Sequence, residues 1–102
     1  MDTIRDLLDA HNAAAFPADL PGGVEAHGVA LVLLDADITG LAAAYLGAGG
    51  ALPAEQWRAL REAAAVARAV VPGLTGEAWV YFGRLYTLAK AVLREAPDTA
   101  AG

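Results

Sequence analysis

The chain contains no cysteine and no serine among its 102 residues. Without cysteine it has no disulfide, no thiolate metal ligand and no thiol nucleophile, and without serine it has no Ser/His/Asp triad. The only histidines, His11 and His27, do not have the i, i+4 spacing of a helical zinc site. We therefore expect a protein that is not an enzyme, with no catalytic residues, no metal site and no cofactor.

Basic residues are also few, because Lys and Arg number 7 against 12 Asp and Glu, which gives a net charge of -5. Nucleic acids and anionic membrane surfaces attract basic proteins. The most apolar segment, residues 29–52, is interrupted by two aspartates and several glycines, which a bilayer span would not favour. The first ten residues carry acids where a signal peptide has positive charge. We expect no nucleic-acid partner, no membrane partner and a cytoplasmic location.

Apolar residues make up 57% of the chain, above the average of about 45 to 50% for globular domains. In three segments they recur at alternating steps of three and four residues, which is the period of a helix that buries one face. The three stripes are Leu31, Leu34, Ile38, Leu41 and Tyr45; Trp57, Leu60, Ala64, Ala67 and Val71; and Ala78, Phe82, Leu85, Ala89 and Val92. This rhythm predicts three long helices rather than strands.

Glycine and proline mark the boundaries of these helices. The first of the long helices can end at Gly47, Gly49 or Gly50. Pro53 stands at the start of the next helix, and Thr75 is placed to cap the last. A short N-terminal helix is expected over residues 3–11, with a Pro/Gly loop up to residue 23 and a frayed tail over residues 97–102. The sequence predicts a single all-α domain over residues 1–102, an antiparallel bundle of three long helices plus the short N-terminal helix.

Residues 29–40 read VALVLLDADITG, an apolar run followed by Asp-x-Asp-x-Thr. This stretch resembles the first motif of the haloacid dehalogenase-like phosphatases. The resemblance implies a buried strand that ends at Asp35, with Asp35 as nucleophile, Asp37 as general acid/base and Thr39 at the threonine position. It covers about ten residues, and the acids that follow in this chain are dispersed rather than paired into a magnesium site.

The helical period gives these two aspartates a different interpretation. Residues two apart on a helix differ by about 200°, so Asp35 and Asp37 would face different directions and could not share a ligand. A buried acid needs a cationic or hydrogen-bonding partner, and the candidates are Arg61 and Arg68 of the third helix and Arg84 of the fourth. We expect Asp35 or Asp37 to form an internal ion pair or cap, with a partner-binding acid on an exposed shoulder as the alternative. On the same helix, Ala36, Gly40, Ala44 and Gly47 form a small-residue face. We expect internal packing there, with a second copy of the chain as the alternative.

The last helix carries more aromatic residues than its inward face needs. Tyr81 lies on one shoulder of that helix, and Trp79 and Tyr86 lie on the other, so a small bundle would leave one shoulder uncovered. The candidate interaction or buried polar residues are thus Asp35, Asp37, Arg61, Arg68, Trp79, Tyr81 and Tyr86. We predict a small acidic, non-enzymatic module that binds either a protein partner or a second copy of itself, as an adaptor, regulator or immunity-type inhibitor. The alternative is a small enzyme or metal-binding protein that uses Asp35 and Asp37.

Overall fold

The computed structural model describes residues 3–17, 25–26 and 29–97 and consists of four α-helices. Helix α1 spans Thr3–Ala13, α2 spans Leu31–Gly47, α3 spans Ala54–Val70 and α4 spans Gly76–Leu93. A 3₁₀ turn, Val71–Gly73, follows α3 directly. The predicted all-α fold is confirmed.

A short strand precedes α2, whose first residue, Leu31, is also the first residue of the predicted stripe. Val29–Ala30 forms a two-residue strand, β2, that pairs antiparallel with Glu25–Ala26, β1, and α2 begins only at Leu31. The apolar run before Asp35 is therefore divided between a short strand and the first turn of a helix. His27 and most of the predicted Pro/Gly loop, residues 18–24, lie outside the described residues, as do residues 98–102 of the predicted tail.

Glycines end α2 as the sequence predicts. Gly49 and Gly50 have positive φ angles of 63° and 92°, a conformation that is easy only for glycine and that lets the chain reverse towards α3. The amide of Gly50 donates to the carbonyl oxygen of Tyr45 at 2.8 Å, which satisfies one of the free carbonyl groups at the helix end. Thr75 occupies the predicted N-cap of α4, although its side chain makes no capping hydrogen bond.

The three long helices pack against one another pairwise, and α1 lies across α2 and α4. Their predicted stripes meet in one core, with Trp57, Phe82 and Leu85 among its fully buried side chains. Helix α1 adds only two core aliphatics, Ile4 and Leu8. Because an isolated helix of 11 residues is marginal in water, α1 depends on its contacts with the bundle. The antiparallel order of the helices stays a prediction.

The core predicts that truncating two nearby residues of α4 has very different effects on stability. Phe82 is fully buried and contacts the ring of Phe16 edge-on, whereas Val80 is exposed. We expect Phe82→Ala to lower the free energy of unfolding by about 3 to 5 kcal/mol, because it removes a large ring and leaves a cavity. The control Val80→Ala should change it by about 0.5 kcal/mol or less. Urea unfolding measures both, and equal losses would contradict this description of the core.

Candidate functional site

A buried polar cluster lies where α1 crosses α2 and α4. Nε2 of His11 lies 2.7 Å from Oδ1 of Asp35, and the hydroxyl of Tyr81 donates to Oδ2 of the same carboxylate at 2.6 Å. Three helices thus contribute one side chain each, and both oxygen atoms of Asp35 have a partner. We call these three residues the Asp35 cluster.

The helical periods explain why these three side chains meet. His11 follows Ile4 and Leu8 at steps of four and three on the inward stripe of α1, and it is only 3% exposed. Asp35 comes directly after the buried Leu34, and its side chain is 18% exposed at the flank of the α2 stripe. Tyr81 stands at the same kind of flank on α4, one residue before Phe82.

Aromatic rings enclose the cluster on one side. The His11 and Tyr81 rings lie 4.4 Å apart between centroids, and Phe16 approaches the edge of Tyr81 at 5.4 Å. Apolar surroundings strengthen hydrogen bonds to a carboxylate and make it costly to leave that carboxylate without partners. The rings therefore raise the energetic cost of separating His11 or Tyr81 from Asp35.

The cluster shifts the pKa values of its members in opposite directions. Burial alone raises the pKa of Asp35, but the hydrogen bonds from His11 and Tyr81 and the positive charge available on His11 lower it by more, so the net pKa lies below its usual value of 3.8. Burial, with the bond to Asp35, raises the pKa of the Tyr81 hydroxyl well above its usual value of 10.0. Ionised Asp35 and neutral Tyr81 are thus the favoured forms at neutral pH.

A carboxylate that holds one nitrogen of a histidine is also the arrangement that orients a histidine for acid/base chemistry. Here the other nitrogen, Nδ1 of His11, is buried and has no hydrogen-bond partner in the structure that we describe. Since Nδ1 is out of contact with solvent, a substrate could reach it only if α1 moved away. The geometry is that of a structural link between helices.

The structure corrects the predicted partner of Asp35. An arginine was expected, but the partners are His11 and Tyr81, and Arg61 and Arg68 are not part of the cluster. Arg61 is half-buried and Arg68 is exposed in the last turn of α3. His11 continues the apolar side of α1, which predicts a hydrogen-bonded core or boundary histidine, and the structure confirms this. The sequence did not predict that Asp35 is its partner.

The phosphatase resemblance is not supported by the surroundings of its motif. The family motif implies a strand that ends at Asp35, whereas Asp35 and Asp37 both lie inside α2, and Thr39 donates to the backbone carbonyl of Asp35 at 2.9 Å. The structure that covers residues 3–17, 25–26 and 29–97 holds no group of three or more His, Cys, Asp or Glu residues that could hold a metal ion.

Asp37 lies instead in an open groove between α2 and α3. Eight described residues line this α2–α3 groove: Ala30, Leu33, Leu34, Asp37, Ala59, Glu62, Ala63 and Val66. Six of them are apolar, and the two acids, Asp37 from α2 and Glu62 from α3, are exposed on its opposite walls. The two aspartates therefore face different environments, as their spacing predicts.

One face of α2 is apolar and exposed to solvent. Leu33 is 63% exposed and Val32 is 43% exposed, which is unusual for side chains of this size. The exposed small residues that continue this face along the helix are Ala36, Gly40, Ala43, Ala44 and Gly47. The expectation that this face packs internally is therefore wrong. We call Val32, Leu33 and these five residues the α2 face.

The two aromatic shoulders of α4 have different environments. Tyr81 is covered by α1 and α2 through the Asp35 cluster, whereas Trp79 on the other shoulder is 55% exposed. Tyr86 is half-buried, and the ammonium of Lys90 lies 5.1 Å from the centre of its ring. One shoulder is thus covered and the other is partly open.

Searches against protein-family models, curated proteins and solved structures found no match to this chain. None of the helices that the structure describes is long and apolar enough to cross a membrane.

The Asp35 cluster predicts unequal roles for the two aspartates. We expect Asp35→Asn to lower the free energy of unfolding by about 1 to 3 kcal/mol, because it removes the charge that His11 and Tyr81 bind. Asp37→Asn, an identical change at an exposed position of the same helix, should change it by about 0.5 kcal/mol or less. Chemical denaturation of the two variants provides the test, and a larger loss from Asp37→Asn would refute the assignment.

The same cluster predicts how stability depends on pH. The pKa of Asp35 is lower in the folded chain than in the unfolded chain, so its stabilisation is present above about pH 4 and is lost as the pH falls through the folded value. The pKa of Tyr81 is raised, so its stabilisation is present below about pH 10 and is lost in more alkaline solution. Unfolding free energies of the wild type and Asp35→Asn should therefore converge at acid pH, and those of the wild type and Tyr81→Phe at alkaline pH. A constant difference in both series would contradict the prediction.

Proposed function

We propose that this protein is a non-enzymatic interaction module that binds a partner protein through the α2 face. The observation that supports this proposal most directly is the exposure of Leu33 beside Val32, with the exposed Ala36, Gly40 and Ala44 further along the same face. Single exposed apolar residues are common on soluble proteins, but a continuous apolar strip is typical of a contact surface. The proposal includes a cytoplasmic location, which is a prediction from the sequence.

The shape of the α2 face suits a protein partner. Leu33, Ala36, Gly40 and Ala44 follow one another at steps of three and four, so the face runs along most of the 17 residues of α2, about 25 Å. Small side chains let the backbone of a second helix come close, and the larger Val32 and Leu33 at one end can act as anchors. A small-molecule site would instead need an enclosed pocket with converging polar groups.

An enzyme or metal-binding protein that uses Asp35 and Asp37 has less support. Both oxygen atoms of Asp35 already accept hydrogen bonds from the protein's own His11 and Tyr81. Asp37 faces the α2–α3 groove, so the two carboxylates are not directed at a common ligand. The exposed shoulder at Trp79 is a further apolar feature, and it is compatible with a protein partner as well.

The proposal predicts that one charge on the α2 face strongly weakens partner binding. We expect Leu33→Asp to lower the affinity by about tenfold or more, because it removes an apolar anchor and places a carboxylate against the partner. Ala65→Asp, which adds the same charge at an exposed position of α3 away from the groove, is the matched control. The measurement is recovery from cell extract with wild type, Leu33→Asp and the control as baits, with sedimentation velocity to detect self-association.

The proposal is supported if the wild type and Ala65→Asp both recover a protein that Leu33→Asp does not. It is also supported if the wild type and Ala65→Asp form a dimer and Leu33→Asp does not. The proposal fails if the wild type is a monomer that retains nothing specific. It also fails if every partner is retained equally by Leu33→Asp.

A further inference from the structure

We propose that the α2–α3 groove is the docking site for a basic amphipathic helix of the partner protein. This inference rests on the proposed function and specifies the chemistry of the partner. It is carried by an apolar groove with a carboxylate on each of its two walls, directly beside the exposed Leu33.

The apolar part of the groove supplies the anchoring surface. Leu34 lies at its floor and belongs to the core, whereas Ala59, Ala63 and Val66 form the α3 side and Leu33 forms the α2 edge. The groove has a volume of about 440 Å³, which can accept a few apolar side chains. An amphipathic helix presents such anchors from one face at spacings of i, i+3 and i+4.

The charges of the groove indicate that the partner's contact surface is positively charged. Asp37 and Glu62 are exposed on opposite walls, and neither Lys nor Arg is among the groove-lining residues that the structure describes. A neutral or acidic partner would take water away from both carboxylates without replacing its hydrogen bonds, which is costly. Lysine or arginine beside the apolar anchors would instead pair with each acid at the rim, and the net charge of -5 favours the encounter with a basic partner.

A second copy of the chain fits this groove less well. In a twofold-symmetric dimer the same patch meets itself, so Asp37 and Glu62 of one protomer would approach the same acids of the other. Like charges brought together at an interface destabilise it. The charge pattern therefore favours a partner of different sequence over self-association.

The test uses two labelled helical peptides of about 18 residues, long enough to form helix on binding. The basic peptide carries leucines at i, i+4, i+7 and i+11 with lysines on both flanks of that stripe, and the acidic peptide has glutamates in place of the lysines. Fluorescence anisotropy measures their affinities for the wild type, for the double variant Asp37→Asn/Glu62→Gln and for the control Glu77→Gln/Glu95→Gln. The two double variants have the same net charge, and all four positions are exposed.

We expect the wild type to bind the basic peptide and not the acidic one. Asp37→Asn/Glu62→Gln should weaken this binding about fivefold, the effect of losing two exposed ion pairs, and the control by less than about twofold. Leu33→Ala should also weaken it, because the anchor at the groove edge is removed. Circular dichroism and urea unfolding establish that each variant remains folded.

Several outcomes would overturn the inference: no binding of the basic peptide, equal binding of the acidic peptide, or equal losses in the two double variants, which would indicate non-specific attraction. A dimer that Asp37→Asn/Glu62→Gln strengthens and Leu33→Asp dissociates would assign the groove to a second copy and would also overturn it. If a partner from cell extract depends on Leu33 but not on Asp37 and Glu62, the proposed function stands and this inference fails.

Discussion

The arrangement of this bundle depends on the contacts that the Asp35 carboxylate makes with two other helices. It accepts a hydrogen bond from Tyr81 of α4 and contacts His11 of α1, so one side chain of α2 connects to two other helices. Helix α1 contributes Ile4 and Leu8 to the core with Leu7 packed against it, and a helix of this length is marginal by itself. The bond between His11 and Asp35 adds a polar contact to this apolar attachment of α1.

The buried stripe of α2 sets the orientation of this helix about its own axis, and Asp35 lies on the flank of that stripe. Residues two positions from Asp35 in either direction point about 200° away from it, so the inward orientation of Asp35 directs Leu33 and Asp37 away from the cluster. Leu33 is exposed at the edge of the α2–α3 groove and Asp37 stands on its wall. The Asp35 cluster thus links three helices. The same orientation of α2 also places the surface that we propose for binding.

Helix α2 carries apolar residues on an exposed face as well as on its inward stripe, and this property links stability to recognition. Its inward stripe, with Leu31, Leu34 and Ile38, is buried in the core as the period predicts. The opposite side has no covering helix in the described structure, because α3 and α4 pack against the inward stripe and its flanks. The chain thus retains apolar surface that contributes nothing to its own core, as expected for a module whose second packing partner is another protein.

The sequence by itself determined the four helices, the glycine turn after α2 and most of the core, although Leu41, Tyr45 and Val71 of the predicted stripes are only half-buried. Each of these depends on local period and on local backbone preference, which can be read from neighbouring residues. It also separated Asp35 from Asp37, because a 200° difference is a property of a single helix. Only the tertiary structure decided that His11 and Tyr81, rather than an arginine, bind Asp35, and that the small-residue face of α2 is exposed. Both depend on the positions of helices distant in sequence, and no spacing within one helix specifies which neighbour covers which flank.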